Sequence, residues 1–115
     1  GFFIWTEATM PYNFTIYKGF WRRFTVEEFQ DDEETMPVDY TGKIIQMRIF
    51  ERDGTLVETK EPDSVGTGSS VWEWNATQAD AYASKSYSYV IEELDFPSPV
   101  IRRLITEGRI GIEVV

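Results

Sequence analysis

The stretch DYTGKIIQMRIFERDGTL, Asp39 to Leu56, decides how the chain is read. Thr41-Gly42 opens it as a turn, an alternating run follows from Lys43 to Arg52, and Asp53-Gly54 closes it before a second extended run. Asp-Gly between alternating apolar residues is a strong hairpin signal, because glycine accepts the positive φ that a primed turn demands. Ile45, Met47 and Ile49 fall on one face of the first strand, with Gln46, Arg48 and Glu51 off it. One dry face and one wet face predict an antiparallel sheet packed against a second layer.

Working outward, strands recur with almost no helix between them. Tyr12 to Tyr17 alternates, setting Phe14 and Ile16 against Asn13, Thr15 and Tyr17. After Lys18-Gly19, Phe20 to Phe29 is a second extended run, with Phe20, Phe24 and Val26 expected to face the core and Arg22 and Glu28 at its margins. Met36-Pro37 pushes the chain back to extended geometry. Glu61 to Ser70 is rich in turn formers and is expected to be a mobile loop before a short strand, Val71 to Trp74. Asn75 to Lys85 is where a helical turn fits, near residues 76–84, with Asn75 or Thr77 as its cap. Tyr87, Tyr89 and Ile91 share one face of the next strand, and Phe96 to Pro99 turns the chain. Val100 to Ile105 and Arg109 to Val115 are expected as a last strand pair joined at Glu107-Gly108. Short strands with turns every 8–12 residues predict an all-β, immunoglobulin-like antiparallel β-sandwich. It occupies residues 13–115, and residues 1–12 read as an arm that joins the domain's own sheet, packs on a neighbouring subunit or is a disordered or artificial end.

Composition narrows the function classes. A chain of 115 residues can bury a single core. Twenty acids against 11 bases give a net charge of −9, which repels a phosphate backbone and excludes nucleic acid as a partner. No apolar run approaches the roughly 18 residues of a membrane-spanning helix, so no membrane partner is expected. With no cysteine there is no disulfide, thiol nucleophile or zinc–thiolate site. With no histidine, the commonest general base and metal ligand are also missing.

Candidate chemistry is correspondingly thin. Glu27/Glu28 and Glu92/Glu93 are adjacent strand residues pointing to opposite faces, so neither pair makes a glycosidase-like site by itself. Asp31 to Glu34 is a solvated acidic patch with no turn glycine for a calcium loop. Ser69 and Ser70 have no histidine base, and the glycines of VGTGSS are not followed by a phosphate-binding lysine. No catalytic residue, metal or cofactor is expected. Aromatics, at 16%, are in surplus for one core. Phe2, Phe3, Trp5, Trp21, Trp72 and Trp74 are therefore contact candidates, on a protein partner or a stacked sugar, with core filling as the alternative for the tryptophans. Arg22/Arg23 and Arg102/Arg103 are basic doublets that either pair with local carboxylates or mark where an acidic neighbour docks.

Four motifs carry a resemblance: NFTIYKG at Asn13 to Gly19, VDYTGKIIQMRI at Val38 to Ile49, YSYVIE at Tyr87 to Glu92, and the closing RRLITEGRIGIEVV. In this order they are similar to tailed-bacteriophage virion domains related to the N-terminal domain of the baseplate upper protein. The chain departs from that pattern at Phe20, where an aspartate is usual, and at Tyr89-Val90-Ile91, where Tyr-Asp-Leu is common. The resemblance implies an Ig-like, non-enzymatic structural protein of the virion, assembled in the bacterial cytoplasm. It would connect tail, baseplate or fibre components through contacts with other virion proteins, as a homo-oligomer or part of a symmetric assembly. Two alternatives stand beside it: a capsid decoration (cement) protein, and a carbohydrate-binding module for host glycans.

Overall fold

Among the described residues, nine strands and one short helix follow one another. The computed structural model describes residues 3–4, 12–31, 33, 35–95 and 101–115. The strands are β1 (Phe3–Ile4), β2 (Phe14–Tyr17), β3 (Arg22–Phe29), β4 (Ile44–Phe50), β5 (Leu56–Lys60), β6 (Ser64–Gly66), β7 (Ser69–Trp74), β8 (Ser86–Asp95) and β9 (Ile101–Glu113), with helix α1 (Ala76–Asp80) between β7 and β8. One sheet has the order β1-β3-β7-β6 and the other β2-β9-β8-β4-β5. This is the expected immunoglobulin-like sandwich. One pair departs from the antiparallel expectation: β2 runs parallel to β9, with Phe14 beside Ile110 and Ile16 beside Ile112. The described part of the arm, Phe3–Ile4, pairs antiparallel with Phe29 and Glu28 at the edge of the domain's own sheet. Phe2 and Trp5 lie outside the described residues, as does the turn expected at Phe96 to Pro99.

The deciding hairpin forms as β4 and β5, with Ile45, Met47 and Ile49 buried. Its turn differs from the primed form. The Gly54 N–H donates to the Glu51 carbonyl at 2.9 Å and the Glu51 N–H to the Thr55 carbonyl at 2.8 Å, leaving Gly54 alone in the left-handed region at φ 92°. This is a three-residue loop ending in a glycine bulge.

Three other expectations fail, each for a physical reason. Glu61 to Ser70 is not a structureless loop, because β6 pairs with β7 and the Gly68 carbonyl accepts the Glu28 N–H at 2.7 Å. Phe20 is exposed because the Phe20 N–H donates back to the Tyr17 carbonyl, closing a tight turn before β3 begins. Glu107-Gly108 is not a turn but the middle of the 13-residue strand β9. A Cβ at Gly108 would land inside the Tyr12 carbonyl and 3.0 Å from the Tyr89 ring, so the glycine marks a close crossing of two backbones.

Between the sheets lies an aromatic stack. Phe24 stacks on Phe14 at 4.7 Å and on Tyr12 at 4.9 Å, and Tyr89 meets Phe14 edge-on at 5.4 Å. Tyr87 turns the corner into β8 by donating its hydroxyl to the Ala83 carbonyl at 3.2 Å. In disulfide-bearing immunoglobulin domains, the residue two beyond such a corner tyrosine is the second cysteine. Here that position is Tyr89, which faces Phe24 of β3 at 6.2 Å. Ring packing joins the two layers where a disulfide otherwise would. At one end of the core, the fully buried Glu28 accepts from the Tyr40 hydroxyl at 2.8 Å and from Arg103 at 2.7 and 3.0 Å. Arg103 also donates to Glu93 at 2.6 Å, so one guanidinium ties β9 to β8 and across the interlayer to β3. Burial and the adjacent Glu28 push the Tyr40 hydroxyl well above the ordinary tyrosine range.

Candidate interaction surface

Strand alternation sorts the contact candidates into two groups. Trp72 and Trp74 alternate inward on β7, opposite Phe24 and Arg22 of β3, and both are completely enclosed. Their indole N–H groups are satisfied internally: Trp72 donates to Ser70 Oγ at 2.9 Å and Trp74 to the Tyr82 hydroxyl at 3.1 Å. Lys60 lies 5.0 Å over the Trp74 ring. They are core residues, which corrects their reading as surface contacts and leaves a sugar platform at these positions without a surface. The capped helix helps to seal this end. Asn75 accepts the Gln78 N–H at 2.8 Å, Gln78 accepts the Asn75 N–H at 2.9 Å, and Ala79 packs into the core.

Trp21 behaves oppositely. It is 60% exposed, and its neighbour Phe20 is 56% exposed. Inward positions on β3 are Arg22, Phe24, Val26 and Glu28, so Trp21 falls on the outward phase and Phe20 is held in the turn before the sheet starts. Tyr17, 45% exposed, precedes the same turn. Three large rings within five residues stay in water, although burying each would gain about 2–3 kcal/mol. Arg22 tucks inward, 5.4 Å from the Phe14 ring, with its buried Nε lacking a hydrogen-bond partner. Arg23 points out and makes a 3.8 Å ion pair with Glu73.

The outer face of the five-stranded sheet is the second candidate. Rows across it read Ile44–Leu94–Arg102, Gln46–Glu92–Leu104, Arg48–Val90–Glu107 and Phe50–Ser88–Arg109. At its centre Glu92 is buried beneath its donors: Gln46 Nε2 at 2.8 Å, Arg48 Nε at 2.7 Å and Nη2 at 3.2 Å, and Arg102 Nη1 at 2.6 Å. Burial pushes this carboxyl up, but the hydrogen bonds from Gln46 and Arg48 and the charges of Arg48 and Arg102 outweigh it, holding it below the usual glutamate value. Ile44 and Leu104 beside it are about half exposed. The doublet Arg102/Arg103 thus pairs with local carboxylates. Sequence reasoning did not isolate this face, because its apolar members are spread singly over three strands and meet only through the register.

Among the described residues, no group of three acidic side chains is arranged to hold a metal ion, and no helix is long and apolar enough to cross a membrane. The hollows are shallow; one of about 460 Å³ lies over Asn13, Val90, Glu107 and Arg109.

No family profile matches this chain, and no curated protein matches it. Among solved structures it is similar to Dpr1 IG1 bound to DIP-eta IG1, at 10% identity and a TM-score of 0.43 over 91% of this chain and 92% of that one. It is also similar to Dpr2 Ig1-Ig2 in complex with DIP-Theta Ig1-Ig3 (13% identity, TM-score 0.45) and to titin Ig tandem domains A164-A165 (9%, 0.42). This chain is covered to 93% in both cases and spans 45% and 47% of those chains. The architecture is assigned from the strand order and the tyrosine corner described above.

Proposed function

We propose that the domain is a non-enzymatic adaptor of a bacteriophage virion, holding tail, baseplate or fibre components by protein–protein contact. The observation that carries a contact role is the exposed pair Phe20-Trp21 with Tyr17, on a chain whose tryptophans at 72 and 74 are enclosed. Tryptophan and tyrosine dominate the binding energy of protein interfaces, because a rigid ring desolvates a large area at little entropic cost. The tight turn supplies that rigidity. The virion context comes from the four motifs.

The test is to label purified phage particles with antibody raised against the domain, alongside a Phe20→Ser/Trp21→Ser variant. Label on the tail or baseplate, lost in a variant that remains folded by circular dichroism, is the expected result. Label on the capsid shell would move the role to decoration. A domain absent from particles, or a variant incorporated normally, refutes the proposal.

A further inference from the structure

Every lysine and arginine except two has a carboxylate, a carbonyl or an aromatic ring as its partner among the described residues. The exceptions are Arg52 and Arg109. On a chain with 20 acids and 11 bases, unmatched guanidinium groups are not expected by chance pairing. Both line one hollow of about 280 Å³ on the outer face of the five-stranded sheet, together with Ser86, Tyr87 and Ser88. The register explains the convergence. Arg109 sits directly across from Ser88 on one side of β8, and Phe50, two residues before Arg52, sits across from it on the other. Two serines between two arginines leave a low floor with hydroxyl donors and guanidinium walls. A second hollow shares Ser88 and Arg109 and continues past Asn13 and Val90, so the depression runs along the sheet.

From this we infer that the Arg52–Arg109 hollow is a carboxylate site that anchors an extended, acid-bearing segment of a partner protein. The inference rests on the adaptor reading and names the chemistry of the partner. Guanidinium presents a planar fork that matches a carboxylate in two parallel hydrogen bonds, and among the described residues neither fork here donates a side-chain hydrogen bond. The nearby acids do not fill the site: Glu51 is engaged by Lys85, Asp53 accepts the Thr55 N–H, and Glu107 makes no ion pair with Arg109. Those same acids, with the net charge of −9, disfavour a doubly charged phosphate relative to a single carboxylate.

The experiment is amide NMR titration of the intact domain with the peptide Gly-Ser-Glu-Glu-Ser-Gly, its Gln-Gln counterpart, inorganic phosphate and N-acetylneuraminate. The Glu peptide is expected to shift the amides of Ser86, Ser88 and Arg109 saturably. The Gln peptide should not, and Arg52→Gln and Arg109→Gln should each weaken binding at least tenfold with the spectrum otherwise unchanged. No saturable shift, equal shifts with the Gln peptide, or unaltered binding in both variants overturns the site. Tighter binding of phosphate or the sugar acid overturns the protein source. Failure here with the domain still incorporated into particles removes this anchor alone, whereas absence from particles removes the adaptor reading.

Discussion

Glu92→Gln keeps the length and planarity of a side chain that collects donors from Gln46, Arg48 and Arg102, but removes its charge. The arginines are not equally desolvated: the side chains of Arg48 and Arg102 are 31% and 52% exposed, against 5% for Glu92. Water can take over part of their solvation, so neither pair is worth a fully buried bridge, and each contributes about 0–1 kcal/mol on the surface scale. The enclosed carboxylate contributes the larger share, about 1.5–3 kcal/mol for a hydrogen-bonded charged group. Together these give a loss of about 2 kcal/mol at neutral pH. The sign with pH follows from linkage. The folded carboxyl titrates below the ordinary value of 4.5, so the unfolded chain binds more protons in that range and the contribution fades as pH falls through the folded value. Urea unfolding followed by tryptophan fluorescence, for both proteins at about pH 7 and about pH 3, measures the difference, with equal slopes confirming a common unfolded state. The gap should be full at the higher pH and narrow strongly at the lower. A gap under about 0.5 kcal/mol at neutral pH, or one that persists undiminished in acid, refutes the clamp.

Gly108→Ala should displace the segment leading into β2, breaking the Tyr12 N–H bond to the Glu107 carbonyl and the Tyr89 hydroxyl bond to the Tyr12 carbonyl. A loss of at least about 2 kcal/mol is expected, read by thermal denaturation and by faster hydrogen exchange at Tyr12. Trp74→Ala and Trp72→Ala should each cost about 3–5 kcal/mol and flatten the near-ultraviolet circular dichroism; a variant that stayed native would contradict their enclosure. Asn75→Ala removes the cap of α1, with an expected loss of about 0.5–2 kcal/mol by urea unfolding.

Local periodicity carried most of the architecture. The two-residue period of Ile45, Met47 and Ile49, and of Tyr87, Tyr89 and Ile91, places the same side chains inward in the folded domain. Asn75 was legible as a cap because its signal is local. What depended on distant chain was not legible. The glycine of Glu107-Gly108 reads as a turn until the Tyr12 backbone is seen crossing it, and the parallel pairing of β2 with β9 leaves no mark in either segment. The surface candidates divided on the same ground. Trp21 could be placed opposite Phe20, but the turn that leaves both exposed is set by Lys18 and Phe20 bonding to Glu113 and Tyr17. Arg52 and Arg109 do not stand out in the sequence, since which arginines find a partner among the described residues is visible only when the neighbouring strands are in place.

The parallel pairing of β2 with β9 has a mechanical meaning. Phe14, Thr15, Ile16 and Tyr17 lie in order beside Ile110 to Glu113. A pull applied through Tyr12 at one end and Val114 at the other therefore slides the two strands lengthwise, straining all their ladder bonds together rather than opening them one by one. Tension applied between those two points would meet a shear clasp where β2 lies beside β9.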